Sequence, residues 1–261
     1  MKLNYYYLSI SLPEIEIGKP PEFNFQQIRH YLRENLTAKD LVKTWVVRRY
    51  YDIENLRALW LGYPLSYYGN LSPVELEEFL AGNTAGAPSY VAEFLETYHS
   101  KDDRLRYFPL LVRNYFLEES AQADGFLKKY LTFEREWRLV MAAFRAKRLG
   151  RDLAVELQFE DPEEELIAQL LAQKDAKTFE PPEMYMPLKP IFEKYADDPI
   201  ELHMALCKWE FNVIEKMLNN DAFSIDKILA YLVQFILAER WSLLDKQKGM
   251  QIIDTMIQEV L

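Results

Sequence analysis

A chain of 261 residues, 49% hydrophobic and 14% aromatic, has enough apolar surface for a substantial core, which excludes disorder as its default state. Its formal charge of -10 argues against nucleic acid, whose affinity comes from lysine and arginine neutralising phosphates, and favours a cationic partner surface. One cysteine, Cys207, excludes an internal disulfide framework and fits a reducing compartment, so the cytoplasm is the expected location.

Only eight glycines, with Leu, Ala, Glu and Lys recurring in stretches without breakers, predict an all-α fold. Residues 3–12 alternate and carry tyrosine and isoleucine, so a short extended N-terminal segment ending at Pro13 is expected. Met1 to Tyr7 holds no apolar run of signal-peptide length, and no stretch approaches the roughly 20 apolar residues that span a bilayer. Membrane contact is therefore expected only through partners. After Gly18 to Pro21 a short helix is predicted from about Asn24 to Asn35. Thr37-Ala38-Lys39-Asp40 then opens as a capping box does, and Val42, Trp45, Val46, Ile53, Leu56 and Trp60 recur near helical spacing until Gly62 and Pro64.

Ser72-Pro73-Val74-Glu75 places an N-cap, a proline at the first helical position and a glutamate at the third. A loop over 82–88 follows. Phe108, Leu111, Val112 and Tyr115 begin an apolar stripe that resumes after Gly125 as Phe126, Tyr130, Phe133, Trp137, Val140, Met141 and Phe144, predicting a heavily buried central helix pair. The cluster Arg145, Lys147, Arg148 and Arg151 sits where that helix ends and complements its dipole. Asp161-Pro162-Glu163-Glu164-Glu165 reads as the solvated acidic first turn of another helix. Prolines 181, 182, 187 and 190 make 175–190 an irregular connector, with Met184, Tyr185 and Met186 either anchored on the body or open to a partner. Asp198-Pro199 starts a helix to about Asn219, Ser224 caps the next, and Gly249 separates a C-terminal helix.

Signals of chemistry in the chain are thin. Gly82 to Gly86 lacks the lysine of a phosphate-cradling loop and a strand before it, so ATP binding is not expected. Glu96-Thr97-Tyr98-His99 fits one Glu-x-x-His element, whereas a di-metal bundle needs two of them and two further glutamates. His203 and Cys207 lie four apart on one helix face, but zinc requires two more ligands, and Cys207 also fits as a small core residue. Catalytic residues, cofactor and metal are accordingly all expected to be none. Asp52, Asn55, Arg57, Glu136, Arg138 and Glu239 stand out because each interrupts an apolar helix, and if buried each must find a hydrogen-bonding partner.

Three stretches echo one another: Tyr51 through Arg57 up to Gly62, Tyr130 through Glu134, Glu136 and Arg138 to Gly150, and Tyr231 through Glu239 and Leu243 to Gly249. Each runs from an aromatic start through an acidic residue to a glycine, suggesting a weak threefold repeat. Tyr5-Tyr6-Tyr7-Leu8-Ser9-Ile10-Ser11-Leu12-Pro13 and Tyr51-Asp52-Ile53-Glu54-Asn55-Leu56-Arg57 resemble an uncharacterised bacterial family encoded beside V-type ATPase genes. The second stretch also resembles the Asp-Ile-x-Asn-Leu-Lys/Arg helix of the rotor-capping subunit of V/A-type ATPases. That resemblance implies a funnel of three related helical units, seated on the membrane rotor ring and holding the central stalk without chemistry of its own. It implies a single helical body over 1–261 with possible sub-units 1–100, 101–175 and 176–261. The implied partners are the central stalk subunits and the membrane rotor ring, with some of the singled-out polar residues lining the funnel. Two other classes remain at this point: a stand-alone helical interaction module, and a metal- or thiol-dependent enzyme using Glu96 with His99 or His203 with Cys207.

Overall fold

A computed structural model describes residues 5–176, 178–218 and 222–243, and over these the fold is all-α. In chain order the helices are α1 (Tyr6–Ser11), α2 (Phe25–Asn35), α3 (Ala38–Leu61), α4 (Pro73–Leu80) and α5 (Ser89–Thr97). They continue with α6 (Lys101–Arg106), α7 (Phe108–Gln122), α8 (Gly125–Arg148), α9 (Leu153–Glu156) and α10 (Glu165–Leu171). The last three are α11 (Leu188–Tyr195), α12 (Pro199–Lys216) and α13 (Ile225–Leu243). The expected break at Gly249, where the third echo ends, lies outside the described residues, as does the expected helix end at Asn219.

The chain divides into two compact units, one comprising Met1–Leu36 with Pro187–Leu261, the other Thr37–Met186. In the continuous unit, α7 and α8 form the packed centre, with α3, α5 and α6 against α7 and with α9 and α10 against α8. Leu111, Leu131, Val140 and Ile167 are completely enclosed there, and Tyr115 is nearly so. Burial of that kind contributes about 1.5–3 kcal/mol per large side chain, so this pair anchors the unit as its apolar stripe predicts. Local signals set the helix limits. Thr37 accepts the Asp40 N–H, Ser72 and Glu75 form a complete capping box, and Gly62 closes α3 in the left-handed region at φ 75°.

The connector over 175–190 is anchored rather than loose. Phe179 stacks edge-on against Phe144 at 4.7 Å between centroids, and Glu183–Tyr185 make one 3-10 turn that buries Tyr185. Pro190 then sits in the first turn of α11, where the N–H it lacks would have no helical partner.

In the discontinuous unit, α12 packs on α13 and α11, and α2 on α13 and α1. Asn24 and Gln27 form a full capping box at the start of α2, and the Lys227 N–H reaches the Ser224 hydroxyl ahead of α13. The N-terminal segment departs from its pattern: residues 6–11 are helical, not extended. The Tyr5 N–H donates to the Phe223 carbonyl at 2.8 Å, and the buried pair Tyr5 and Leu8 are three apart, so the tertiary contact selects a helical period over the alternating one.

Candidate functional site

Arg48, Asp52 and Asn55 occupy successive turns of one face of α3, and all three are buried. Together they clasp the loop that returns after Gly62. Arg48 donates from Nε to the Tyr68 carbonyl at 3.0 Å and from its other end to the Gly69 carbonyl. The Asp52 carboxylate accepts from the backbone N–H of Asn70 at 2.6 Å and of Leu71 at 2.9 Å, and from the Asn70 side chain at 2.8 Å. Asn55 both accepts from the Ser66 N–H at 2.7 Å and donates to its carbonyl at 2.8 Å. A β-carbon at Gly69 would lie 2.4 Å from Asp52 Oδ1, so glycine is required there by space alone. Burial raises the Asp52 carboxyl above its ordinary range, and the Leu71 and Asn70 donors oppose that rise.

The clasped loop forms one wall of a pocket of about 170 Å³ between α3, α4 and α5. Trp45, Ile53, Leu56, Leu71, Phe79 and Val91 make it mainly apolar, and Arg49, Asp52 and Asn70 supply its polar edge. Arg49 is paired with Glu119, which also accepts from the Tyr90 hydroxyl at 2.8 Å. Sequence reasoning singled out Asp52 and Asn55 but missed Arg48, Arg49, Gly69 and Asn70. The spacing of Arg48, Asp52 and Asn55 on one face was the available signal.

The other singled-out residues lie apart from this pocket. Arg57 is half exposed, 5.1 Å over the Phe108 ring. Arg138 donates to Glu134 at 2.7 Å and to the Tyr50 hydroxyl at 2.8 Å, tying α8 to α3. Glu136 accepts from the Tyr185 hydroxyl at 2.5 Å, which fixes the connector, while Met184 and Met186 on either side are exposed. Glu239, in the other unit, accepts from the Phe25 N–H at 3.2 Å at the start of α2. The acidic run does not behave wholly as a solvated first turn. α10 begins only at Glu165, and Glu164, with Glu160, holds the buried Arg135 from two sides.

Glu96 and His99 are both exposed, with His99 beyond the end of α5. Cys207 is buried with its Sγ 3.4 Å from His203 Nε2, and burial, aided by the charge of Arg240, lowers the imidazole pKa. Among the described residues no three His, Cys, Asp or Glu side chains gather as metal ligands would. No helix among them is long and apolar enough to cross a membrane.

Clasp and pocket together define an all-α protein whose α3 carboxylate and guanidinium hold loops in place beside an apolar recess. The chain belongs to the family described as "Protein of unknown function (DUF2764)", which matches residues 1–260. It is 29% identical over 257 residues to an "Uncharacterized protein" of Chlamydia muridarum, covering 97% of each chain. It is 28% identical over 256 residues to another of Chlamydia trachomatis, covering 96% of each. A Chlamydia pneumoniae relative is 29% identical over 255 residues, again covering 96% of each chain. No solved structure matches. These findings correct the resemblance to the rotor-capping subunit of V/A-type ATPases: the family spans nearly the whole chain, and neither it nor these relatives connects to that subunit. The short likeness over residues 51–57 coincides with the clasp helix, where Asp52 and Asn55 hold the loop that follows Gly62.

Proposed function

We propose that this chain is a non-catalytic coupling protein that works by holding other proteins, in the cytoplasm and at the central rotor of a V-type ATPase, between the stalk and the membrane ring. Kinship with the rotor-capping subunit is no part of this reading. The observation that carries the non-catalytic half is the use made of the buried charges. Arg48 with Asp52, Arg49 with Glu119, and Arg135 with Glu160 and Glu164 each bind loops or neighbouring helices, so the polar groups most shielded from water serve rigidity. A rigid helical unit with an apolar recess suits a part that transmits force through its surfaces. The ATPase half rests on the resemblance of residues 5–13 and 51–57 to a family encoded beside V-type ATPase genes.

The test is recovery of the tagged full-length chain from its own cells after gentle solubilisation of the membranes. The expected result is co-purification of ATPase stalk and ring proteins. An ATPase isolated intact through its other components, with this chain left behind, overturns the assignment.

A further inference from the structure

The pocket between α3, α4 and α5 has an apolar part and an ionic part. Ile53, Leu56, Phe79 and Val91, all buried, make its floor. One turn back along α3 the lining is ionic: Arg49 and Asp52 are three residues apart, a spacing that sets their β-carbons about 5–6 Å from each other. A further turn back, Trp45 is 43% exposed and, with the exposed Gly86, marks the open side. At about 170 Å³ the space is close to that of a cavity which admits one benzene ring.

Neither ionic group is saturated by the protein. Arg49 is joined to Glu119 through Nη1, beside the Tyr90 hydroxyl, and a guanidinium fork presents further N–H donors that can hold a second carboxylate. Asp52 accepts three hydrogen bonds, all from Asn70 and Leu71, where a carboxylate offers about four acceptor sites. Burial still holds its carboxyl above the ordinary range, so a cationic donor beside it is favourable. Asn70 spends its side-chain donor on Asp52 and on the Trp45 carbonyl. Arg48 and Arg49 balance Asp52 and Glu119, so this cluster has no net charge to be neutralised. A purely anionic ligand would meet the carboxylates as well as Arg49, and a purely cationic one would meet the guanidiniums as well as Asp52. A ligand carrying both charges on one carbon matches the pair at once.

We infer that this pocket binds a free α-amino acid with a branched or aromatic side chain. Its carboxylate lies on Arg49, its ammonium on Asp52, and its side chain against Ile53, Leu56, Phe79 and Val91. Glycine forgoes the apolar floor, and an amino acid with a charged side chain would bury an unpaired ion there. The inference goes beyond the rotor reading and is independent of it, since it needs no partner protein.

The test is calorimetric titration of the purified full-length protein with leucine, phenylalanine, glycine, isocaproate and isoamylamine. The last two keep the isobutyl group of leucine and lack its ammonium and its carboxylate respectively. Leucine or phenylalanine should bind with a Kd below about 1 mM, and glycine and both singly charged compounds at least about ten-fold more weakly. Removing the ammonium from the ligand leaves Asp52 intact, which matters because Asp52 also holds the loop after Gly62. Arg49→Gln should weaken leucine about ten-fold and so erase most of its advantage over isoamylamine, a split that general loosening of the fold would not produce. Leu71→Trp, which fills the pocket from its wall, should abolish leucine binding. No binding of either amino acid at about 10 mM, isocaproate or isoamylamine binding as tightly as leucine, or leucine binding untouched by Leu71→Trp overturns the inference.

Discussion

Replacing Gly69 by alanine tests the clasp at its tightest point. The new β-carbon would meet Asp52 Oδ1 at 2.4 Å and Asn55 Nδ2 at 3.1 Å, so the loop must move away from α3. The bonds that stretch first are those from the Asn70 and Leu71 N–H groups to the same carboxylate, now 2.6 and 2.9 Å. A hydrogen bond to a charged group contributes about 1.5–3 kcal/mol, and partial relaxation retains some of that, giving an expected loss of about 2–4 kcal/mol. For a body of this size each kcal/mol lowers Tm by about 2–4 °C, so a fall of roughly 4–16 °C is expected by scanning calorimetry, with a matching drop in urea midpoint. Asp52→Ala, which orphans the two N–H groups, should lose about 3 kcal/mol. In that background Gly69→Ala meets no carboxylate, so the double variant should be more stable than the sum of the single losses by about 1 kcal/mol or more. A Gly69→Ala protein within about 0.5 kcal/mol of the parent, or strictly additive losses, would refute the reasoning.

Arg135→Leu should cost about 2–4 kcal/mol in urea unfolding, because it leaves the nearly enclosed Glu160 carboxylate with only the longer 3.7 Å pairing to Arg113, while Arg135→Lys should retain part of that through a single contact. His203 supplies a pH test. Its folded pKa lies below that of the free imidazole, so as pH falls below about 6.5 the unfolded chain takes the proton first and stability declines. His203→Gln should flatten that part of the stability-against-pH curve between about pH 6.5 and 5, and an unchanged slope would show that the imidazole is not shielded. Tyr185→Phe removes the donor to Glu136 and should loosen the connector by about 1–2 kcal/mol. Limited proteolysis within 175–186 should accelerate in that variant and not in Met184→Leu, whose side chain is 76% exposed.

Much of the fold was legible because its signals are local. Asn24, Thr37, Ser72 and Ser224 cap helices by reaching donors two or three residues ahead, and Gly62 ends α3 by a conformation glycine tolerates best. The apolar stripes of α7 and α8 likewise declare their burial through spacing. The departures depend on contacts remote in sequence. Residues 6–11 become helical where the Tyr5 N–H meets Phe223, and Glu164 is drawn partly out of solvent because Arg135 stands opposite. At the site, Asp52 and Asn55 were conspicuous as polar residues in an apolar helix, but Arg48 was not, since arginine on a long helix is ordinarily a surface residue. Gly69 and Asn70 carried no cue at all, because their role exists only once the loop folds back on α3.

The closure of one unit from two distant stretches of chain has a consequence for how the protein is made. The Phe25 N–H waits for the Glu239 carboxylate, 214 positions later, while the stretch Thr37–Met186, a compact unit of its own, is synthesised long before. At a ribosomal pace of about 5–20 residues per second, that interval lasts roughly 10–40 seconds. During it the apolar side of α2, with Phe25, Ile28 and Leu32, has no α13 to cover it. Nascent chains halted between Met186 and Ile225 should therefore carry a finished, protease-resistant middle and an N-terminal segment that is cut readily and captured by chaperones. Release of the longer chain would then convert that segment to the resistant form in a single late step.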